Sequence, residues 1–159
     1  MNNIGVYEGL QYTSFAVAQT AAGLDTHTPP NLLVSGFEQT DVTGELAGFE
    51  ITGTTKRFDL ISFYYSCAVN SAEGAVAVPQ QCTFEARGYK TTTDANPSAT
   101  QTFTFNPVTG NLEQQQSEAI LTWDFKDLEK VDFVMVESAS GEQLNVLDID
   151  STTYTLYDD

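Results

Sequence analysis

The stretch Phe58–Tyr89, FDLISFYYSCAVNSAEGAVAVPQQCTFEARGY, holds the densest aromatic cluster of the chain and its only two cysteines. Its first half alternates as a strand does. Ile61, Phe63, Tyr65, Cys67 and Val69 fall on one face, and Leu60, Ser62, Tyr64, Ser66 and Ala68 on the other. The second half sets Cys82, Phe84 and Ala86 against Thr83, Glu85, Arg87 and Tyr89. The stretch therefore reads as two strands joined by a long loop, with each cysteine on the more apolar face of its own strand. A Cys67–Cys82 disulfide would tie the feet of that loop together. Closing a loop of about 15 residues is worth on the order of 3 kcal/mol in the chain-entropy model. Two buried thiols are the alternative.

The same alternation recurs on both sides. It marks Tyr7 to Val17, Leu32 to Val34, Glu45 to Ile51, Thr100 to Phe105, Ala119 to Trp123, Val131 to Glu137, Leu144 to Asp150 and Thr153 to Tyr157. Gly, Pro, Asn and Asp stand between these runs. Pro29 and Pro30 close one loop because they remove ladder donors, and a tight turn is predicted around Ser140-Gly141. Trp123 alternates with Leu121 and Ala119 and reads as a core residue. Only Phe125 to Lys130 carries helix-friendly residues, enough for a turn. No repeat or linker divides residues 1–159. The expectation is an all-β, single-domain antiparallel β-sandwich, jelly-roll-like, with one disulfide.

Charge narrows the partners. With 22 acidic against 6 basic residues the formal net charge is −16. A phosphate backbone or an anionic membrane would be repelled, so neither nucleic acid nor a membrane surface is an expected partner. No run reaches the roughly 18 apolar residues that a membrane helix needs. Few lysines, abundant Thr, Ser, Gln and Tyr, and a cysteine pair together point to a secreted, extracellular protein. MNNIGVYEGL is too polar to be a secretory signal, so secretion implies that the signal has been removed ahead of Met1.

Hydrolytic chemistry finds little to work with. His27 is the one histidine and sits beside a Pro-rich loop, which leaves a Ser-His-Asp or Cys-His pair without a base held in place. A zinc site lacks ligands. Some pair of carboxylates will always meet a glycosidase separation in a chain this acidic, so that signal selects nothing. A lyase acting on an anionic polymer would want a basic cleft. Saccharide binding needs an aromatic platform beside bidentate polar groups. Tyr64, Glu85, Arg87 and Tyr89 supply that mixture on one face if their two strands are neighbours, and a loop-end site would instead use Tyr12, Trp123 or Asn31. Asp148 and Asp150, two apart on one strand face, could hold a structural calcium ion with Glu8 or backbone carbonyls; no other cofactor is expected.

Several of these segments form a pattern. Tyr7-x-Gly9-Leu10-x-Tyr12-x-x-Phe15, Thr28-Pro29-Pro30-Asn31, Phe58-Asp59-Leu60-x-Ser62-Phe63-Tyr64, the Cys67–Cys82 pair with Gly88-Tyr89, Trp123 to Phe133, and Asp148-Ile149-Asp150-x-x-x-Tyr154 succeed one another. The succession resembles small secreted fungal proteins of the carbohydrate-binding-module-like, galactose-binding type, with Tyr12 where that pattern would carry Trp. The resemblance implies a β-sandwich, secretion, a disulfide and binding of a glycan or polysaccharide of a cell wall or host. The alternatives are a fungal surface or effector-like protein that meets a protein partner, and a polysaccharide-active enzyme on the same sandwich.

Overall fold

The structure is a computed structural model that describes residues 3–19, 24–29, 31–36, 47–70, 77–108, 114–138 and 145–158. Among them there is no helix, and thirteen strands form. The first seven are β1 (Asn3–Tyr7), β2 (Leu10–Gln19), β3 (Leu24–Asp25), β4 (Asn31–Gly36), β5 (Ala47–Ile51), β6 (Arg57–Asn70) and β7 (Ala77–Pro79). They are followed by β8 (Cys82–Tyr89), β9 (Ala99–Phe105), β10 (Gln114–Gln115), β11 (Ser117–Ile120), β12 (Lys130–Ser138) and β13 (Asn145–Tyr157). The turn predicted at Ser140-Gly141 lies outside the described residues.

One antiparallel sheet runs in the order β11-β6-β13-β4-β2-β5-β12-β8-β9, with β1 on β2 and β7 on β6. It folds over at β2, whose Leu10–Thr13 pair with β5 and whose Ala16–Gln19 pair with β4. Between them Ser14 takes a φ of 55°, which bends the strand and changes which side chains face inward. Leu10 and Tyr12 before the bend and Phe15 after it all reach the main core. A strand that changes sheets at a bend makes a corner, and here it sets β11-β6-β13-β4 over β5-β12-β8-β9. The result is the curled, sandwich-like all-β fold that the alternation predicts.

Opposite that corner the sheet ends at β9 and β11, and the seam is closed by side chains. Gln101 Nε2 donates to the Ile120 carbonyl and Gln101 Oε1 accepts from the Thr122 N–H, both at 2.9 Å. One amide thus does what a neighbouring strand would do for an exposed edge. The Tyr65 hydroxyl donates to the Thr104 carbonyl at 3.1 Å further along.

Aromatic rings fill the space between the layers. Phe63 lies 5.4 Å from Phe133 and 5.6 Å from Phe103, and Tyr65 lies 5.1 Å from Phe84, all centroid to centroid. These separations suit edge-to-face packing, in which each ring edge meets a ring face. Cys67 and Cys82 are bonded and fully buried at one end of this core. Their strands are not the two arms of a hairpin, however. β6 pairs with β13, β11 and β7, and β8 pairs with β12 and β9, so the disulfide ties one layer to the other.

A double bulge corrects the predicted parity of β6. Asp150 pairs with Tyr64, Thr153 with Ser62 and Tyr154 with Leu60, so β13 gains one residue and β6 then gains one in return. Ser151 adopts a φ of 48° at the first of these steps. The outcome is that Phe58, Leu60, Phe63 and Tyr65 are all buried, whereas Ile61 is 44% exposed. β13, predicted as two strands, is one strand interrupted at that point. The segment predicted as a turn, Phe125 to Lys130, plugs the near end: Leu128 and Phe58 exchange backbone hydrogen bonds, and the Phe125 carbonyl accepts from the Leu60 N–H.

Candidate functional site

Alternation along β8 and β12 places two rows of polar side chains on the outer face of the second layer. Arg87 stands opposite Asp132 and Tyr89 opposite Lys130. Arg87 Nε and Nη2 donate to Glu85 Oε2 at 2.9 and 2.7 Å. Lys130 Nζ is 3.0 Å from Asp132 Oδ2 and 5.4 Å above the Tyr89 ring. Burial raises the Asp132 carboxyl above the ordinary aspartate value against the pull of Lys130, and raises the Tyr89 phenol, with the Asp132 charge adding to it. Glu85, Arg87 and Tyr89 are thus brought together as predicted. Lys130 and Asp132 complete the cluster and were not predicted, although the Lys130-Val131-Asp132-Phe133 alternation carries the signal. Tyr89 is only 8% exposed, which leaves its ring no open face for a sugar.

This cluster also explains a glycine. A Cβ at Gly48 on β5 would meet the Val131 carbonyl oxygen of the neighbouring backbone and come within 3.0 Å of Asp132 Oδ1. Gly48→Ala is therefore expected to force β5 and β12 apart and to lower unfolding free energy by roughly 2 kcal/mol in chemical denaturation. An unchanged denaturation midpoint would contradict that close approach.

Tyr64 is not on this face. Because β6 and β8 belong to different layers, Tyr64 lies on the outer side of the first layer, and the four residues predicted as one face are split three to one. The condition that their strands be neighbours fails. His27 stacks on the Tyr64 ring at 3.7 Å with an interplanar angle of 9°, covering one ring face. His27 is itself held by its backbone N–H to Gln116 Oε1 at 3.0 Å and by Nδ1 to Ser151 Oγ at 2.9 Å. Asp150 contacts Ser151 rather than the imidazole, so these three groups are not ordered as a nucleophile, base and orienting acid.

The two aspartates predicted to bind calcium make hydrogen bonds in the structure. Asp150 accepts from the Thr28 and Ser151 N–H groups, each at 2.6 Å, and Thr28 Oγ1 also meets Ser151 Oγ. Asp148 is buried, and its carboxylate is 3.3 Å from Ser66 Oγ. Burial pushes its pKa up to about 8, with the Ser66 hydrogen bond opposing the shift. Among the described residues no three His, Cys, Asp or Glu side chains converge, where a calcium ion takes six to eight oxygens. The Glu8 carbonyl accepts instead from the Tyr154 hydroxyl.

The remaining aromatic candidate is the one read as core. Trp123 is 82% exposed. β11 stops at Ile120, where Gln101 caps its edge, and a hydrogen bond from the Phe125 N–H to the Thr122 carbonyl turns the chain. Phe125 and Leu128 go inward and anchor the turn, which leaves Trp123 outside. Lys126 Nζ lies over the indole at 3.9 Å from its centroid, and Lys90 Nζ donates to the Lys126 carbonyl at 2.6 Å. Nearby, Arg57 pairs with Asp127 at 2.8 Å and the Tyr157 hydroxyl donates to Asp59. Tyr12, the other aromatic considered for a loop-end site, is buried with its ring 4.8 Å from Phe49.

No protein-family model matches the chain, and no curated protein is similar to it.

Proposed function

We propose that this is a secreted, non-catalytic carbohydrate-binding protein that holds a cell-wall or host glycan against Trp123. The exposed indole carries the reading. A large aromatic ring left in water on a firmly anchored turn exposes apolar surface, and a saccharide's apolar ring face is complementary to it. Asp124, the next residue in the chain, is exposed and offers a carboxylate to hydroxyls. Tyr64 and Tyr89, stacked and buried respectively, have no comparable open ring.

Trp123 is the only tryptophan, so emission excited at wavelengths too long for tyrosine reports on this site alone. Affinity electrophoresis through gels containing soluble wall polysaccharides is expected to retard the protein, and the retained polymer is expected to perturb Trp123 emission. Trp123→Ala is expected to weaken binding about tenfold, the equivalent of a stacking contact of roughly 1–1.5 kcal/mol. Retention by no polymer, or equal retention of the variant, would sink the reading.

A protein partner is the second reading, favoured by Ile61 and by Ile120, 66% exposed, beside the Trp123 turn. It predicts a partner whose binding is lost in Ile120→Asp, while glycan retention stays absent throughout.

A further inference from the structure

The lysines at the Trp123 rim bear on which sugar it takes. All six cationic residues of the chain are Lys56, Arg57, Arg87, Lys90, Lys126 and Lys130. Every one lies at the same end of the sandwich. Arg57 pairs in register with Tyr157 at the start of β6, Lys130 with Tyr89 at the start of β12, and Leu128 bridges to Phe58 between them. The opposite ends of β4, β6, β12 and β9 lead into residues 37–46, 71–76, 139–144 and 109–113, which contain six acidic residues and no basic one.

Three of the six cations are spoken for by carboxylates: Arg57 by Asp127, Arg87 by Glu85 and Lys130 by Asp132. Lys56, Lys90 and Lys126 have no such partner among the described residues, and of these Lys126 and Lys90 lie at the Trp123 turn. Lys126 is instead laid over the indole, and Lys90 reaches the Lys126 backbone. The acidic groups around them are mostly engaged. Asp59 accepts from the Asp127 N–H, Asp94 from the Thr91 N–H and Glu129 from the Thr92 N–H. In a chain of net charge −16, two of the three ammonium groups without a carboxylate partner among the described residues therefore meet at the turn that carries the most exposed aromatic ring.

We propose that the saccharide stacked on Trp123 is acidic, a uronic acid whose carboxylate is taken by Lys126 and Lys90. The proposal rests on the glycan-binding reading and specifies its ligand. Lys126 covers one ring face, which leaves the other for the sugar, and Lys90, held on the Lys126 carbonyl, brings a second ammonium group to the same turn. A neutral sugar would leave both ammonium groups without a carboxylate.

The test uses one backbone in two charge states. Oligogalacturonide and its methyl ester are titrated calorimetrically against the folded protein, with the ratio of their affinities as the readout. The acid is expected to bind about fivefold tighter, the scale of an exposed ion pair of about 1 kcal/mol. Lys126→Gln is expected to bring the ratio towards one, and Lys90→Gln to lower it less; thermal melts check that both variants are folded. Equal binding of acid and ester by the native protein, or a ratio unmoved in both variants, overturns the proposal and leaves the glycan reading standing. Failure of every neutral and acidic polymer to bind overturns both.

Discussion

A protein carrying Cys67→Ala and Cys82→Ala is expected to lose about 3 kcal/mol of stability and to melt roughly 6–12 °C lower than the native protein. Two contributions act together. The bridge closes a loop of sequence separation 15, which restricts the unfolded chain. It also joins β6 to β8, strands with no backbone hydrogen bond between them, so no ladder compensates for its loss. Ring contacts such as Tyr65–Phe84, the Tyr65 hydroxyl on the Thr104 carbonyl and the Gln80 N–H on the Cys67 carbonyl then hold that end of the layers together. Melts of the native protein with and without reductant check the first contribution, and the double variant under oxidising conditions checks both. Coincident melts would mean that the aromatic packing alone sets the spacing of the layers. Loss confined to the reduced protein, with the double-alanine variant stable, would place the effect in buried thiol groups instead.

The same bond shows where reading a sequence reaches its limit. Alternation located the longer strands, because side-chain direction in a strand is a local property of period two, and missed β1 and the short β3, β7 and β10. It also placed Phe63, Tyr65 and Cys67 on one inward face, and Cys82, Phe84 and Ala86 on another. Alternation does not say which strand lies beside which. Cys67 and Cys82 sit equally well on inward faces in a hairpin or across a sandwich, and only the long-range ladders decide between them. Bulges defeat the local rule for a different reason. The extra residues at Ser151-Thr152 and at Ile61 occur at successive steps of one ladder, on either side of the Thr153–Ser62 pair, so neither segment alone reveals the inversion.

The candidate sites divide along the same line. Glu85, Arg87 and Tyr89 lie on one strand, and their common face was legible. The cover over Tyr64 comes from His27 and is fixed by Ser151, which is 124 residues further along. The exposure of Trp123 depends on Gln101, whose amide ends β11 before the alternation of Ala119, Leu121 and Trp123 can continue into a strand. A side chain from another part of the chain decided each outcome.

Asp148 offers the largest pH effect, and its sign follows from where its proton is held. In the unfolded chain the carboxyl ionises near the ordinary value of 3.8, whereas burial raises its pKa in the fold to about 8. Ser66 is its hydrogen-bond partner, and the bond opposes the shift without cancelling it. Below pH 4 both states carry the proton and Asp148 contributes no pH dependence. Between pH 4 and pH 8 the unfolded chain gives up the proton and the folded one does not, so stability falls as pH rises, and the loss levels off above pH 8. Asp148→Asn keeps the shape and a hydrogen-bonding group but has nothing to ionise. It is expected to match the native protein at pH 4 and to exceed it by roughly 3–5 kcal/mol at pH 8. Mutual repulsion among the 22 acidic residues also destabilises the fold with rising pH, as does the raised carboxyl of Asp132. Both act on the native protein and the variant alike, so the difference between their urea denaturation curves across pH isolates Asp148. A difference that stays flat from pH 4 to pH 8 would mean that the buried carboxyl ionises in place, with its charge met by a group that the Ser66 contact does not reveal.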